Sequence, residues 1–137
     1  MTGRRSKAPT PLVLVVEDDH DTRELYASQL EAAGYRVECA EHGDEAVILA
    51  RRAMPAAILM DLAMPRMDGW EATQTLKSAP ATKDIWIIAV TGQLERHAID
   101  RAQAAGVDAF ATKPVEPDEL VRLVAAGVAR GRAERRA

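Results

Sequence analysis

The chain has almost nothing to cross-link and nothing long enough to cross a membrane. Its 137 residues include one cysteine, Cys39, so no internal disulfide can form. That sets aside a disulfide-stapled secreted scaffold and makes a reducing cytoplasm the expected setting; Cys39 reads as a small buried apolar side chain. No apolar run approaches the roughly 20 residues of a membrane-spanning helix. The first such run, Leu12–Val16, has five residues, too few for a signal peptide's apolar core of about 7–15. There is no internal repeat, no low-complexity linker and no sign of a second domain. His20, His42 and His97 lack metal-ligand spacing and read as surface or cap residues, and the methionines read as packing.

Charge is present but unevenly placed. Arg4, Arg5 and Lys7 give residues 1–11 a charge of +3, and Arg130, Arg132, Arg135 and Arg136 against Glu134 give residues 130–137 another +3. Because the whole chain is −3, the body between carries −9. An acidic body repels nucleic acid, so direct DNA binding is not expected. The expected layout is a short basic tail over 1–11, one domain over 12–130 and a basic C-terminal tail over 131–137. With Met1 in place and short tails, a self-contained single-domain protein is expected.

Five short apolar runs punctuate the body: Leu12–Val16, Tyr35–Cys39, Ala56–Met60, Ile85–Val90 and Val107–Ala111. The first, third and fourth are apolar almost throughout, as strands covered on both faces of a parallel sheet are. The other two alternate more, as edge strands should. Helical segments separate the runs. His20–Ala33 sets Leu25, Leu30 and Ala33 near one face and stops at Gly34. Asp44–Ala53 carries Ala46, Leu49, Ala50 and Ala53 at helical spacing. Asp68–Lys77 opens on a carboxylate cap with Glu71 three residues on. Leu94–Ala105 ends at Gly106. Pro117–Arg130 has proline at its first position, acids in its first turn and a face of Leu120, Leu123, Val124 and Val128; Gly127 and Gly131 predict fraying at its end. Five βα units with short right-handed crossovers predict an α/β fold, a doubly wound sandwich with helices on both faces of a parallel sheet.

In such a sheet, ligands bind outside the carboxyl ends of the strands. Past the first run come Glu17, Asp18 and Asp19; past the third, Asp61; past the fourth, Thr91 and Gly92; past the fifth, Thr112, Lys113 and Pro114. Taken singly these have ordinary readings: Thr91 a turn residue, Lys113 a surface charge, Asp61 a cap. Together they place carboxylates, a hydroxyl and a lysine on one edge. Carboxylates sharing a crevice repel unless protons or a cation compensate. A few oxygen ligands with room for water and phosphate suit Mg²⁺, or Mn²⁺ in its place. A carboxylate can act as a nucleophile toward phosphorus, and lysine, hydroxyl and metal would stabilise the transferring group.

The stretches VLVVEDD (13–19), ILMDLAMPRMDGWEA (58–72), IIAVTG (87–92) and FATKP (110–114) resemble the receiver domains of two-component response regulators. The resemblance spans about residues 12–130. It implies a flavodoxin-like sheet of order 2-1-3-4-5 and a phosphoryl acceptor at Asp61. It further implies Mg²⁺ held by Asp18, Asp61 and the backbone carbonyl of Ala63, with Glu17 acting through water. Lys113 and Thr91 would meet the phosphoryl oxygens, and Lys113-Pro114 would be a cis peptide. Glu17 stands where the family more often has Asp. Ala63 and Gln93 hold positions that tune phosphoryl lifetime. Phe110, the only phenylalanine, falls where the family keeps an aromatic that turns inward as Thr91 moves toward the phosphoryl group; its other reading is a half-buried strand residue. Output would emerge through the face of the fourth helix, fifth strand and fifth helix.

The expected function is therefore a phosphorylation switch. Its donor would be a sensor histidine kinase or a histidine phosphotransfer protein, and its output an unidentified protein. It would be no enzyme beyond promoting its own phosphorylation and dephosphorylation. Three other readings compete. A haloacid-dehalogenase phosphatase needs a second Asp where this chain has Ala63. A flavodoxin needs a Ser/Thr/Gly-rich first loop where this chain has Glu-Asp-Asp. A scaffold that never takes phosphate would not need so complete a site.

Overall fold

The computed structural model describes residues 10–62, 69–92 and 96–136. Strands and helices alternate: β1 (Leu12–Val16), α1 (His20–Ala32), β2 (Arg36–Ala40), α2 (Gly43–Ala53), β3 (Ala57–Asp61), α3 (Gly69–Ser78), β4 (Trp86–Thr91), α4 (Arg96–Ala105), β5 (Ala109–Thr112) and α5 (Pro117–Arg136). All four pairings are parallel and the order is β2-β1-β3-β4-β5. The chain therefore steps outward from β1 in both directions, and the switch point between β1 and β3 opens a crevice at their carboxyl ends.

Alternation along each strand divides the core. Val13, Val15, Leu59, Ile88 and Val90 pack with Tyr26 and Leu30 of α1 and Leu120, Val124 and Val128 of α5. Leu14, Val16, Ile58, Met60 and Ile87 pack on the other face with Ala46, Val47 and Ala50 of α2 and Ala72 and Leu76 of α3. Both faces of the central strands are covered, which is why their sequences run apolar without a break.

Three expectations about boundaries and faces are corrected. Four strands begin later than their apolar runs, and they end one residue further on, so Asp61, Thr91 and Thr112 are the last residues of β3, β4 and β5 rather than residues beyond them. Apolar runs mark burial, whereas sheet pairing continues to the polar rim. The buried face of α1 is Arg23, Tyr26 and Leu30; Leu25 is 53% exposed. Helix α5 continues through Gly127 and Gly131 to Arg136. Gly127 does not mark fraying: it is buried, and a Cβ there would collide with the Trp86 indole. The expected Asp68 cap, the Leu94 start of α4 and the residues Arg4, Arg5 and Lys7 lie outside the described residues.

Candidate functional site

Each arm of the site hangs on a strand end. At β1 the acidic triplet is sorted by local hydrogen bonding. Asp19 is the N-cap of α1: its Oδ2 accepts from the Thr22 amide at 2.9 Å and the Thr22 hydroxyl at 2.6 Å. These bonds hold the Asp19 carboxyl below its ordinary value and commit it to the helix. Glu17 and Asp18 remain for the crevice. The Glu17 amide donates to the Ala40 carbonyl at 3.0 Å, and Glu17 Oε2 accepts from the Asp19 amide at 3.2 Å.

Asp61 closes β3, where it is paired with Val90 of β4 and buried. Glu17, Asp18 and Asp61 each offer an oxygen within 4.8 Å of the others. Gly69, the first residue of α3, lies so close that a Cβ would collide with the backbone of Asp61 and Leu62. The glycine is therefore required by the approach of α3 to the crevice, a role its place in the MDGWEA stretch did not reveal. Lys113 follows β5, held by its amide on the Thr91 carbonyl at 2.9 Å. Its Nζ stands 2.9 Å from Glu17 Oε1 and 3.5 Å from Asp61 Oδ2. The Lys113-Pro114 bond is cis. Thr91 ends β4 beside Thr112. Phe110 is half-buried and packs with Trp70 and Val107 against Leu62 and Ala89. The Ala63 carbonyl and Gln93 lie outside the described residues.

Among the described residues, carboxylates outnumber cations at the site. Burial pushes the Glu17 carboxyl up to about 7; the Lys113 hydrogen bond works against that rise and the Asp61 charge adds to it. Burial disfavours the Lys113 ammonium, but the Glu17 hydrogen bond and the Asp61 and Glu17 charges outweigh it and push the group above its ordinary value. One lysine thus serves carboxylates that repel each other, and a hard divalent cation fits the remaining charge. Three oxygen donors leave positions open for water and a phosphoryl oxygen, the pattern Mg²⁺ takes.

This fold and this edge define a receiver domain. The chain matches the response regulator receiver domain family over residues 13–125 and belongs to it. The polar-differentiation response regulator DivK of Brucella anthropi is 32% identical over 112 residues, covering 82% of this chain and 91% of that protein. The receiver domain of a Pseudomonas aeruginosa sensor histidine kinase, with a magnesium ion coordinated in its active-site cleft, is 29% identical with a TM-score of 0.82, over 88% of this chain and 98% of that one. The Vibrio cholerae chemotaxis protein CheY4 is 28% identical with a TM-score of 0.81, over 85% and 98%. The protein is thus a CheY-like receiver of two-component signalling, a family that works with histidine kinases and phosphotransfer proteins. Among the described residues, no helix is long and apolar enough to cross a membrane.

Proposed function

We propose that this receiver takes a phosphoryl group onto Asp61 from the phosphohistidine of a sensor kinase or phosphotransfer protein, and that the modified domain binds a different protein through the α4-β5-α5 face. The observation that carries this reading is the meeting of Glu17, Asp18 and Asp61 oxygens within 4.8 Å beside the Lys113 ammonium.

In this mechanism an Asp61 oxygen attacks phosphorus; the new P–O bond forms as the P–N bond to the donor imidazole breaks, and the departing nitrogen takes a proton. Asp18, Asp61 and the Ala63 carbonyl would hold Mg²⁺ or Mn²⁺, with Glu17 acting through water. When bound, the cation supplies charge neutralisation at the phosphoryl oxygens. Lys113, already 3.5 Å from Asp61 Oδ2, moves its charge from Glu17 to a phosphoryl oxygen. The Thr91 hydroxyl donates to another. Phe110, which packs against Leu62 and Ala89, then turns inward as Thr91 shifts. The phosphoryl group biases this equilibrium only by interacting better with one arrangement than the other.

Acetyl phosphate with Mg²⁺, followed by intact mass, tests the reading. The parent gains one phosphoryl group only when Mg²⁺ is present, and Asp61→Asn gains none. Beryllofluoride with Trp fluorescence backs this up should the phosphoryl group be short-lived. Failure to bind either Mg²⁺ or beryllofluoride would leave a receiver-like scaffold that works without phosphate.

A further inference from the structure

Arg23 is a charged residue buried in the first turns of α1, only 9% exposed. That placement is electrostatically awkward, because the amino end of a helix already carries partial positive charge. An arginine there must be held by strong acceptors or it loses its hydration uncompensated. Its acceptors are specific. Nη1 donates to the Glu17 carbonyl at 3.0 Å, a buried bond, and approaches the Asp18 carbonyl at 3.4 Å. Nη2 lies 3.1 Å from His20 Nδ1, with the exposed Glu41 carboxylate 4.0 Å away at the rim. Side chains on a helix lean toward its amino end, so Arg23 reaches back over the loop that its own helix follows.

Resting on the receiver reading above, we infer that Arg23 is a positioning residue for the cation crevice. It grips the peptide between Glu17 and Asp18 from the helix side while the Ala40 carbonyl holds the Glu17 amide from the sheet side at 3.0 Å. With its main chain fixed at both edges, the Glu17-Asp18 pair has its Cα–Cβ directions set toward Asp61. The exposed Asp18 carboxylate gains most, because it has no core packing to orient it. Arg23 touches no reacting atom. It acts through the backbone of two groups that do, as outer partners of metal ligands commonly act.

The test is direct Mn²⁺ binding by electron paramagnetic resonance on the full chain, with acetyl phosphate turnover as a second readout. Arg23→Met should weaken Mn²⁺ binding by about 10–100-fold, the usual range for loss of such a partner. The Mg²⁺ concentration for half-maximal phosphoryl uptake should rise in step. The rate at saturating Mg²⁺ should stay within about 3-fold of the parent, because the reacting groups remain. Arg23→Lys, which keeps the charge and a single donor nitrogen in place of the guanidinium fork, should recover part of the loss. His20→Ala removes only the second anchor, folds as a surface change should, and is expected to weaken binding by roughly 3-fold, a small fraction of that range. Folded variants that bind Mn²⁺ like the parent, with only their urea midpoints lowered, overturn the inference and leave Arg23 a stability residue. A parent that binds no Mn²⁺ overturns the receiver-site reading instead, so the two failures are distinct.

Discussion

The two edges of the same sheet solve opposite problems. At the amino edge Lys77 has three ammonium protons and three acceptors: the Lys83 carbonyl at 3.1 Å, the Ile85 carbonyl at 2.8 Å and Asp108 Oδ2 at 2.7 Å. Asp108 in turn accepts from the Ile87 amide at 2.8 Å. One cation and one anion are matched, and the network ties α3 to the starts of β4 and β5. At the carboxyl edge one lysine faces Glu17 and Asp61, with Asp18 beside them. Among the described residues, the same residue types make a closed bracket at one end and a crowded acidic crevice at the other. A fold can keep such a crevice because stability is supplied elsewhere, and a bound cation would offset the crowded carboxylates and so admit an anionic phosphoryl group.

Substitutions can break this contrast. The largest effect is expected from Lys113→Met, which removes the crevice's ammonium: phosphoryl uptake at saturating Mg²⁺ should fall about 10²–10³-fold, the loss seen when one charge-stabilising donor is deleted. Single-turnover phosphorylation measures it, and a rate within a few-fold of the parent would show that Lys113 is only a structural partner of Glu17. At the other edge, Asp108→Ala should cost about 1–3 kcal/mol by urea unfolding, because Lys77 and the Ile87 amide lose their acceptor. Its Mg²⁺ affinity should match the parent's; a large drop there would mean the edges are coupled.

Acidity sharpens the comparison. The folded Glu17 carboxyl titrates near 7 rather than its ordinary 4.5, so between those values the metal-free folded state holds more protons than the unfolded one. Its contribution to stability is full below about 4.5 and is lost as the pH rises through about 7. Metal-free parent protein should therefore lose stability relative to Glu17→Gln between pH 5 and 8, and saturating Mg²⁺ should flatten the difference. Parallel curves for the two metal-free proteins would contradict it. The smallest effect is expected from Asp19→Ala. It removes the α1 cap and should lower Tm by roughly a few degrees while Mn²⁺ affinity changes less than about twofold, since its carboxylate serves the helix rather than the crevice.

Much of this was legible in the sequence. Unbroken LVLVV, AAILM and IWIIAV stretches mark strands buried on two faces, and the polar residues after them mark one edge. Less legible was anything that depends on which neighbour a residue meets. Apolar spacing put Leu25 on the inner face of α1 and passed over Arg23, since arginine rarely goes inside; Arg23 is inside because carbonyls of the preceding loop accept from it there. Gly127 looked like a weak point in a helix, yet it seats the Trp86 ring. Gly69 carried no signal of its own at the start of the third helix, yet it makes room for the backbone of Asp61.

The order of elements, the parallel sheet and the identity of the polar strand ends were determined by the sequence alone, because burial periodicity and short crossovers leave few ways to fold five βα units. The choice of Glu17 and Asp18 over Asp19 was also made from the sequence; the tertiary structure decided that Asp19 caps α1, that Gly69 and Gly127 are points of close contact, and that a buried arginine bonds the acidic loop. Those outcomes depend on hydrogen bonds and close approaches that exist only in folded geometry, from Arg23 on the Glu17 carbonyl to Gly127 against the Trp86 ring, and apolar periodicity encodes neither.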